Sequence, residues 1–230
     1  MKILYLVHQF YPEYYTGTEK FVFNLAYMMQ KIGNKVKIIT YSFYEDSFYD
    51  RKIGTIMIKE FTYKGLPVIA LRHENIPEDI HLNLVDNDLS KIAETILIDE
   101  KPDIIHAGHL MRVAELIISS KMLNIPYVMT LTDFFLMCPK INLQYSANQL
   151  CSGPESGNAC QKLCPEVPSN YIEQRRNMVG DILSNAVKVV APSNFLASIF
   201  KNEYKDLNII TINHGMNYSK IKRNRTIYKK

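Results

Sequence analysis

Residues 2–40 read KILYLVHQFYPEYYTGTEKFVFNLAYMMQKIGNKVKIIT. They open on a short apolar run, KILYLV at 2–7, that ends in polar and turn residues, as a buried strand does. Phe21, Leu25, Met28 and Ile32 then recur at steps of four, three and four, the spacing of one helix face. Thr16 and Glu19 stand three apart just before that face, the signature of a capping box. Gly33 follows the last apolar position and suits a left-handed helix stop. KVKIIT at 35–40 alternates and supplies a second strand. A strand, a helix and a strand therefore fill this segment, which is the opening unit of a parallel sheet.

The same rhythm runs outward from it. Residues 53–62 and 66–72 read as extended segments joined by a turn at Lys64-Gly65, and a loose apolar stripe through Ile80, Leu84, Leu89, Ile92 and Ile96 predicts a helix over 79–99. DIIHAG at 103–108 is a strand, 109–123 a helix, and YVMTL at 127–131 a strand. Beyond an irregular stretch, 170–186 is a helix and VKVVAP at 187–192 a strand. Ser193 caps a last helix that runs to Tyr204, and NIITIN at 208–213 closes the series. Short apolar strands alternating with helices predict an α/β fold: one doubly wound, Rossmann-like domain with a mostly parallel sheet, spanning 1–215. Residues 216–230 are a basic tail or the start of a linker.

Composition narrows the function. The 230 residues carry 27 Lys plus Arg against 23 Asp plus Glu, with 47% hydrophobic residues, enough for a core and too apolar for disorder. The apolar run at the start is too short for a signal peptide, and no run approaches a membrane span, so a cytoplasmic protein is expected. Six of the basic charges (Lys220, Lys222, Arg223, Arg225, Lys229 and Lys230) crowd the last eleven residues, leaving −2 on the rest of a chain whose total is +4. The folded body is not a basic nucleic-acid binder; the tail is a solvated end or a contact for anionic lipid or a partner.

In such sheets ligands bind beyond the carboxyl ends of the strands. The residues expected there are His8, His106, Asp133, Ser193 and His214-Gly215. Each has a plain structural role open to it as a cap or a hydrogen-bonding partner; their shared location is what suggests a site. The first loop, His8 to Gly17, holds one glycine. It lacks the three-glycine dinucleotide fingerprint and the phosphate-cradling GxxxxGK[ST] loop, so no NAD is expected. Its aromatic residues suit stacking on a sugar or a lipid-linked group.

Residues 134–168 have no sustained periodicity and hold every cysteine: Cys138, Cys151, Cys160 and Cys164. A structureless loop of that length calls for a staple. Four thiolates around a structural zinc would provide one, with free thiols, disulfides or an iron–sulfur cluster as the alternatives. Cys160-x3-Cys164 fits ligand spacing and Cys138-x12-Cys151 does not.

Taken together, MKILYLVHQFYPEYYTGTEKFVFNLAYMMQKIGNKVKIIT, KPDIIHAGH, IPYVMTLTDFFLMCP, VKVVAPSNFLASIF and INHGMN resemble, in order, the N-terminal half of a family 4 glycosyltransferase of GT-B architecture. The stretch from Cys138-Pro139 is similar to a cysteine-bearing insert found in some members. The resemblance implies an acceptor-binding domain that faces a donor-binding C-terminal domain, here expected in the same or a separate chain. It implies retaining transfer, without a catalytic metal, from a nucleotide-sugar donor to a glycan, lipid-linked or small-molecule acceptor in polysaccharide biosynthesis, with peripheral contact at the inner membrane face left open. Gly17, Thr18 and Glu19 match the family's glycine loop, His106 the histidine of the DIIH strand, and Asp133 the aspartate after the fifth-strand position, the candidate catalytic group. The family usually has histidine where this chain has Thr132. The paired glutamates of the donor half have no counterpart after residue 215, so this chain alone is expected to be inactive. Two other classes stay in view: a non-enzymatic, metal-stapled binding module and a nucleotide-binding oxidoreductase.

Overall fold

The computed structural model describes residues 1–146 and 149–215; the basic tail lies outside the described residues. Eleven strands and six helices follow in chain order: β1 (Lys2–Val7), α1 (Gly17–Lys31), β2 (Lys35–Tyr41), β3 (Arg51–Ile53), β4 (Ile56–Tyr63), β5 (Leu66–His73), α2 (Asn87–Glu100), β6 (Ile104–Ala107), α3 (Glu115–Met122), β7 (Tyr127–Thr130), β8 (Gln144–Ser146), β9 (Gln149–Leu150), α4 (Asn158–Leu163), α5 (Ser169–Ser184), β10 (Lys188–Ala191), α6 (Asn194–Glu203) and β11 (Ile209–Thr211). Nine strands form one sheet in the order β11-β10-β7-β6-β1-β2-β5-β4-β3. Every pairing from β11 to β5 is parallel, and β3, β4 and β5 form an antiparallel meander at the edge. This is the α/β, mostly parallel sheet expected from the alternation of apolar runs.

Period-two alternation divides β1 between two cores. Ile3, Tyr5 and Val7 pack with Val22 and Ala26 of α1, while Leu4 and Leu6 join the larger core with residues of α2, α3, α5 and α6. Both faces of the strand are buried, which is why its sequence is a continuous apolar run. Lys64 and Gly65, both with positive φ, make the tight turn between β4 and β5.

Three expectations about local structure change. The helix expected over 79–99 begins only at Asn87, because the Asp86 carboxylate accepts from the Asp88 and Leu89 amides and fixes the start there. The helix expected over 109–123 begins only at Glu115, since Arg112 adopts a left-handed conformation with φ of 66° that no helix continues through. Thr16 does precede α1, but its hydroxyl donates to Glu19 Oε2 at 2.5 Å rather than capping a helix amide. Glu19 is pulled inward and buried instead of reaching back along the helix end. Ser193 is a helix cap as expected, accepting from the Leu196 amide.

Candidate functional site

The sheet order sets where a ligand can enter. From β1 the chain moves outward through β2 in one direction and later through β6 in the other, so the crevice between the carboxyl ends of β1 and β6 is the switch point. His8 leaves β1 there, and His109 lies two residues beyond β6. Their rings approach to 4.0 Å between centroids.

Around this pair the structure builds a continuous chain of polar contacts. Glu19, fully buried at the start of α1, brings Oε1 to 3.7 Å from His8 Nε2. His109 Nε2 sits 2.9 Å from Asp133 Oδ2, in the loop after β7. The Met111 amide donates to His109 Nδ1 at 3.2 Å. That nitrogen must present a lone pair, so the proton is on Nε2 and His109 donates to Asp133. Asp133 Oδ1 accepts from the Phe135 amide at 2.9 Å, closing a turn. Burial drives the Asp133 carboxyl upward, but these two hydrogen bonds outweigh it and hold the group below its ordinary value. His8 is held well below the usual imidazole value by burial, with His109 and Arg112 adding to the shift. It is therefore neutral near pH 7. His8 Nδ1 and Glu19 Oε1 are buried without a hydrogen-bond partner among the described residues. Unmet groups of this kind are costly and mark a place for water or ligand.

The expected site residues divide into two sets. Glu19 and Asp133 are linked through His8 and His109. Thr132 supports them, because its hydroxyl donates to the Gly108 carbonyl at 3.0 Å and ties the β6 and β7 loops together. Gly17 is exposed at the first turn of α1 with open space above it, and Thr18 is half-buried beside it. His106 stands apart from this chain of contacts: its ring stacks on Tyr5 and lies 2.8 Å from the Thr130 hydroxyl. Burial pushes it down to about 4, leaving it neutral at physiological pH. His214 packs on Phe21 of α1, 4.0 Å between ring centroids. His109, Arg112 and His81 were not singled out by sequence reasoning. The second histidine of HAGH was the available signal; nothing marks Arg112.

The four cysteines converge, since Cys138, Cys151, Cys160 and Cys164 all line one apolar cavity of about 20 Å³, room for a single water-sized occupant. The zinc expectation finds no support in this arrangement: among the described residues no three His, Cys, Asp or Glu side chains form a group that could hold a metal ion. The thiols are free. Burial in apolar surroundings raises Cys138 and lifts Cys160 to about 11, with the neighbouring thiols adding to it. The loop is held by apolar packing and by Arg175, which donates to the Phe135 carbonyl at 2.5 Å and the Leu82 carbonyl at 3.1 Å.

No family model and no curated protein matches this chain. Solved structures do. The catalytic domain of starch synthase IV from Arabidopsis thaliana, bound to ADP and acarbose, is 16% identical with a TM-score of 0.55, over 94% of this chain and 52% of that one. Sucrose-phosphate synthase from Thermosynechococcus elongatus is 13% identical with a TM-score of 0.58, over 94% and 48%. HepE from Anabaena, in complex with UDP and glucose, is 15% identical with a TM-score of 0.52, over 94% and 45%. This chain shares its fold with part of each of these structures. It spans about half the length of these structures. At such identities the likeness is one of fold. No helix among the described residues is long and apolar enough to cross a membrane.

Proposed function

We propose that this chain is the acceptor-binding half of a retaining glycosyltransferase. It works with a donor-binding domain, in the same or a separate chain, that holds a nucleotide sugar. One observation supports the reading: in a fold shared with sugar-transferring enzymes over nearly the whole chain, the polar cluster of Glu19, His8, His109 and Asp133 lies at the switch-point crevice, with His8 Nδ1 and Glu19 Oε1 unsatisfied among the described residues. In this reading Asp133 takes a hydrogen bond from the acceptor hydroxyl and orients it. Its side chain is 31% exposed, so an incoming hydroxyl can reach a carboxylate whose other contacts are already fixed by His109 and Phe135. His109 is the positioning group. Gly17 and Thr18 border the crevice at the exposed start of α1, where a partner domain would close, and His106 supports the sheet beneath. The acceptor class is a glycan, a lipid-linked sugar or a small molecule. A peripheral contact with anionic lipid, expected from the basic tail, belongs to the same proposal.

The test is turnover. The chain is assayed with UDP- and ADP-sugars and a panel of acceptors, alone and with a donor-binding domain supplied in cis or in trans. Transfer only when the donor domain is present supports the reading, because under it the groups that hold a departing diphosphate belong to the donor-binding domain. Turnover by the chain alone would show that the donor site is here. Binding of nicotinamide dinucleotides in place of sugars would instead favour an oxidoreductase.

A further inference from the structure

Arg112 is the residue that the polar chain above does not explain. Only 4% of it is exposed, yet among the described residues it forms no ion pair with a carboxylate. One terminal nitrogen donates to His81 Nδ1 at 3.0 Å and the other to the His8 carbonyl at 3.0 Å. That uses two of its five N–H donors. Nε is buried without a partner. The guanidinium carbon lies over the Phe43 ring, 4.9 Å from its centre, and over the Tyr41 ring at 5.6 Å. Cation–π contacts of this kind offset part of the cost of burying the charge, but they give the N–H donors no hydrogen-bond acceptor. Glu13, the carboxylate whose charge acts on Arg112, has both oxygens on the Phe43 amide instead, at 3.0 and 3.1 Å.

This arginine lines an open cleft of about 570 Å³ together with His8, Gln9, Tyr14, Phe43 and His81. That volume suits a small ligand. The cleft shares His8 with the switch-point cluster and so borders the crevice described above. Its walls combine aromatic and apolar surface, neutral hydrogen-bonding groups and one buried cation that keeps three of its five N–H donors without a partner among the described residues. Planar donor pairs of this sort match an oxyanion in two parallel hydrogen bonds.

We propose that this cleft holds an anionic acceptor: a sugar bearing a carboxylate or phosphoryl group, whose oxyanion is gripped by Arg112 while the ring lies against Tyr14 and Phe43. The proposal rests on the glycosyl-transfer reading and narrows it to charged acceptors. Bound this way, the oxyanion compensates a charge that has been taken out of water, and the neutral His8 and His81 add polarity to the pocket without competing for the anion.

The experiment is calorimetric titration of the chain with glucuronate, glucose 1-phosphate and glucose, with the ring-nitrogen resonances of His81 followed in parallel. At least one of the two anions is expected to bind 10-fold or more tightly than glucose and to shift His81, and the stronger of the two identifies the carboxylate or the phosphoryl as the recognised group. Arg112→Gln is expected to reduce that anion to the affinity of glucose. Should this variant not fold, the His81 shift in the unaltered chain still decides the matter. Glucose binding as tightly as both anions, or anions binding without moving His81, overturns the charged-acceptor assignment and leaves the acceptor half standing. Failure of every sugar to bind overturns both.

Discussion

His109 donates from Nε2 to Asp133 because the Met111 amide occupies its other ring nitrogen. Three residues of backbone thus fix the tautomer of a side chain at the switch point, and that side chain in turn holds the one exposed carboxylate of the cluster.

The first prediction concerns that pair. Asp133→Asn keeps an oxygen for the Phe135 amide, so the variant is expected to fold. Under the proposed function, transfer measured with the donor domain present falls by about 100-fold or more, the range associated with loss of a positioned general base. Nitrogen-detected spectra of the unaltered chain should place the His109 proton on Nε2. A proton on Nδ1, or an Asp133→Asn variant with unchanged kcat/KM, contradicts the assignment.

Glu115 makes stability depend on pH. It is buried at the start of α3, its Oε1 accepts from the Asp86 amide at 2.5 Å, and its Oε2 has no partner among the described residues. Burial raises it to about 7 from the ordinary 4.5. Below pH 4.5 the group is protonated in both folded and unfolded chains. As the pH climbs, the unfolded chain loses this proton first, so stability falls progressively until about pH 7. The loss amounts to roughly 3 kcal/mol at most. His106, pushed down to about 4, gives the opposite slope, with stability lost as pH falls from 6.5 toward 4. Glu115→Gln isolates the first effect: chemical denaturation should show its advantage over the parent growing between pH 5 and 8. An advantage that does not change with pH rules it out.

Gly108 closes the approach of the β6 loop to α1. A Cβ there would lie 2.5 Å from Val22 Cγ2, a separation that real carbon atoms do not adopt. Gly108→Ala is expected to cost about 1–3 kcal/mol, the usual penalty of overpacking. Adding Val22→Ala should recover part of the loss, read as the midpoint of urea unfolding. Independent, additive effects of the two changes would show that this contact is not the cause.

The cysteine cavity predicts slow chemistry. With Cys160 lifted to about 11, little of it is thiolate at pH 8. Its alkylation by iodoacetamide, located by mass spectrometry, should be on the order of 10-fold or more slower than that of a free cysteine peptide, and should accelerate toward pH 10. Labelling that depends on adding a chelator would mean the thiols hold a metal after all.

Much of the fold is legible in the sequence because each cause is local. Continuous apolar runs such as KILYLV mark strands buried on both faces, and Phe21, Leu25, Met28 and Ile32 mark one helix face, so strand–helix alternation alone predicts a parallel sheet. The same reasoning put Asp133 and His8 at strand ends. What the sequence cannot carry is any feature created by chain segments meeting in space. His109 reaches Asp133 across 24 residues, and Arg112 donates to the His8 carbonyl across 104. Glu19 reads as a capping acid along the chain, yet tertiary packing draws it beneath His8. Likewise, Asp86 and Arg112 set the helix starts through a side-chain cap and a left-handed backbone, where an apolar stripe alone extends both helices too far. Four cysteines in one loop predict a staple, but whether their sulfur atoms close around an ion depends on distances that only the folded loop fixes. Local periodicity determined the elements; the placement of β1 beside β6 determined which of their ends share a crevice, and therefore where a ligand can be held.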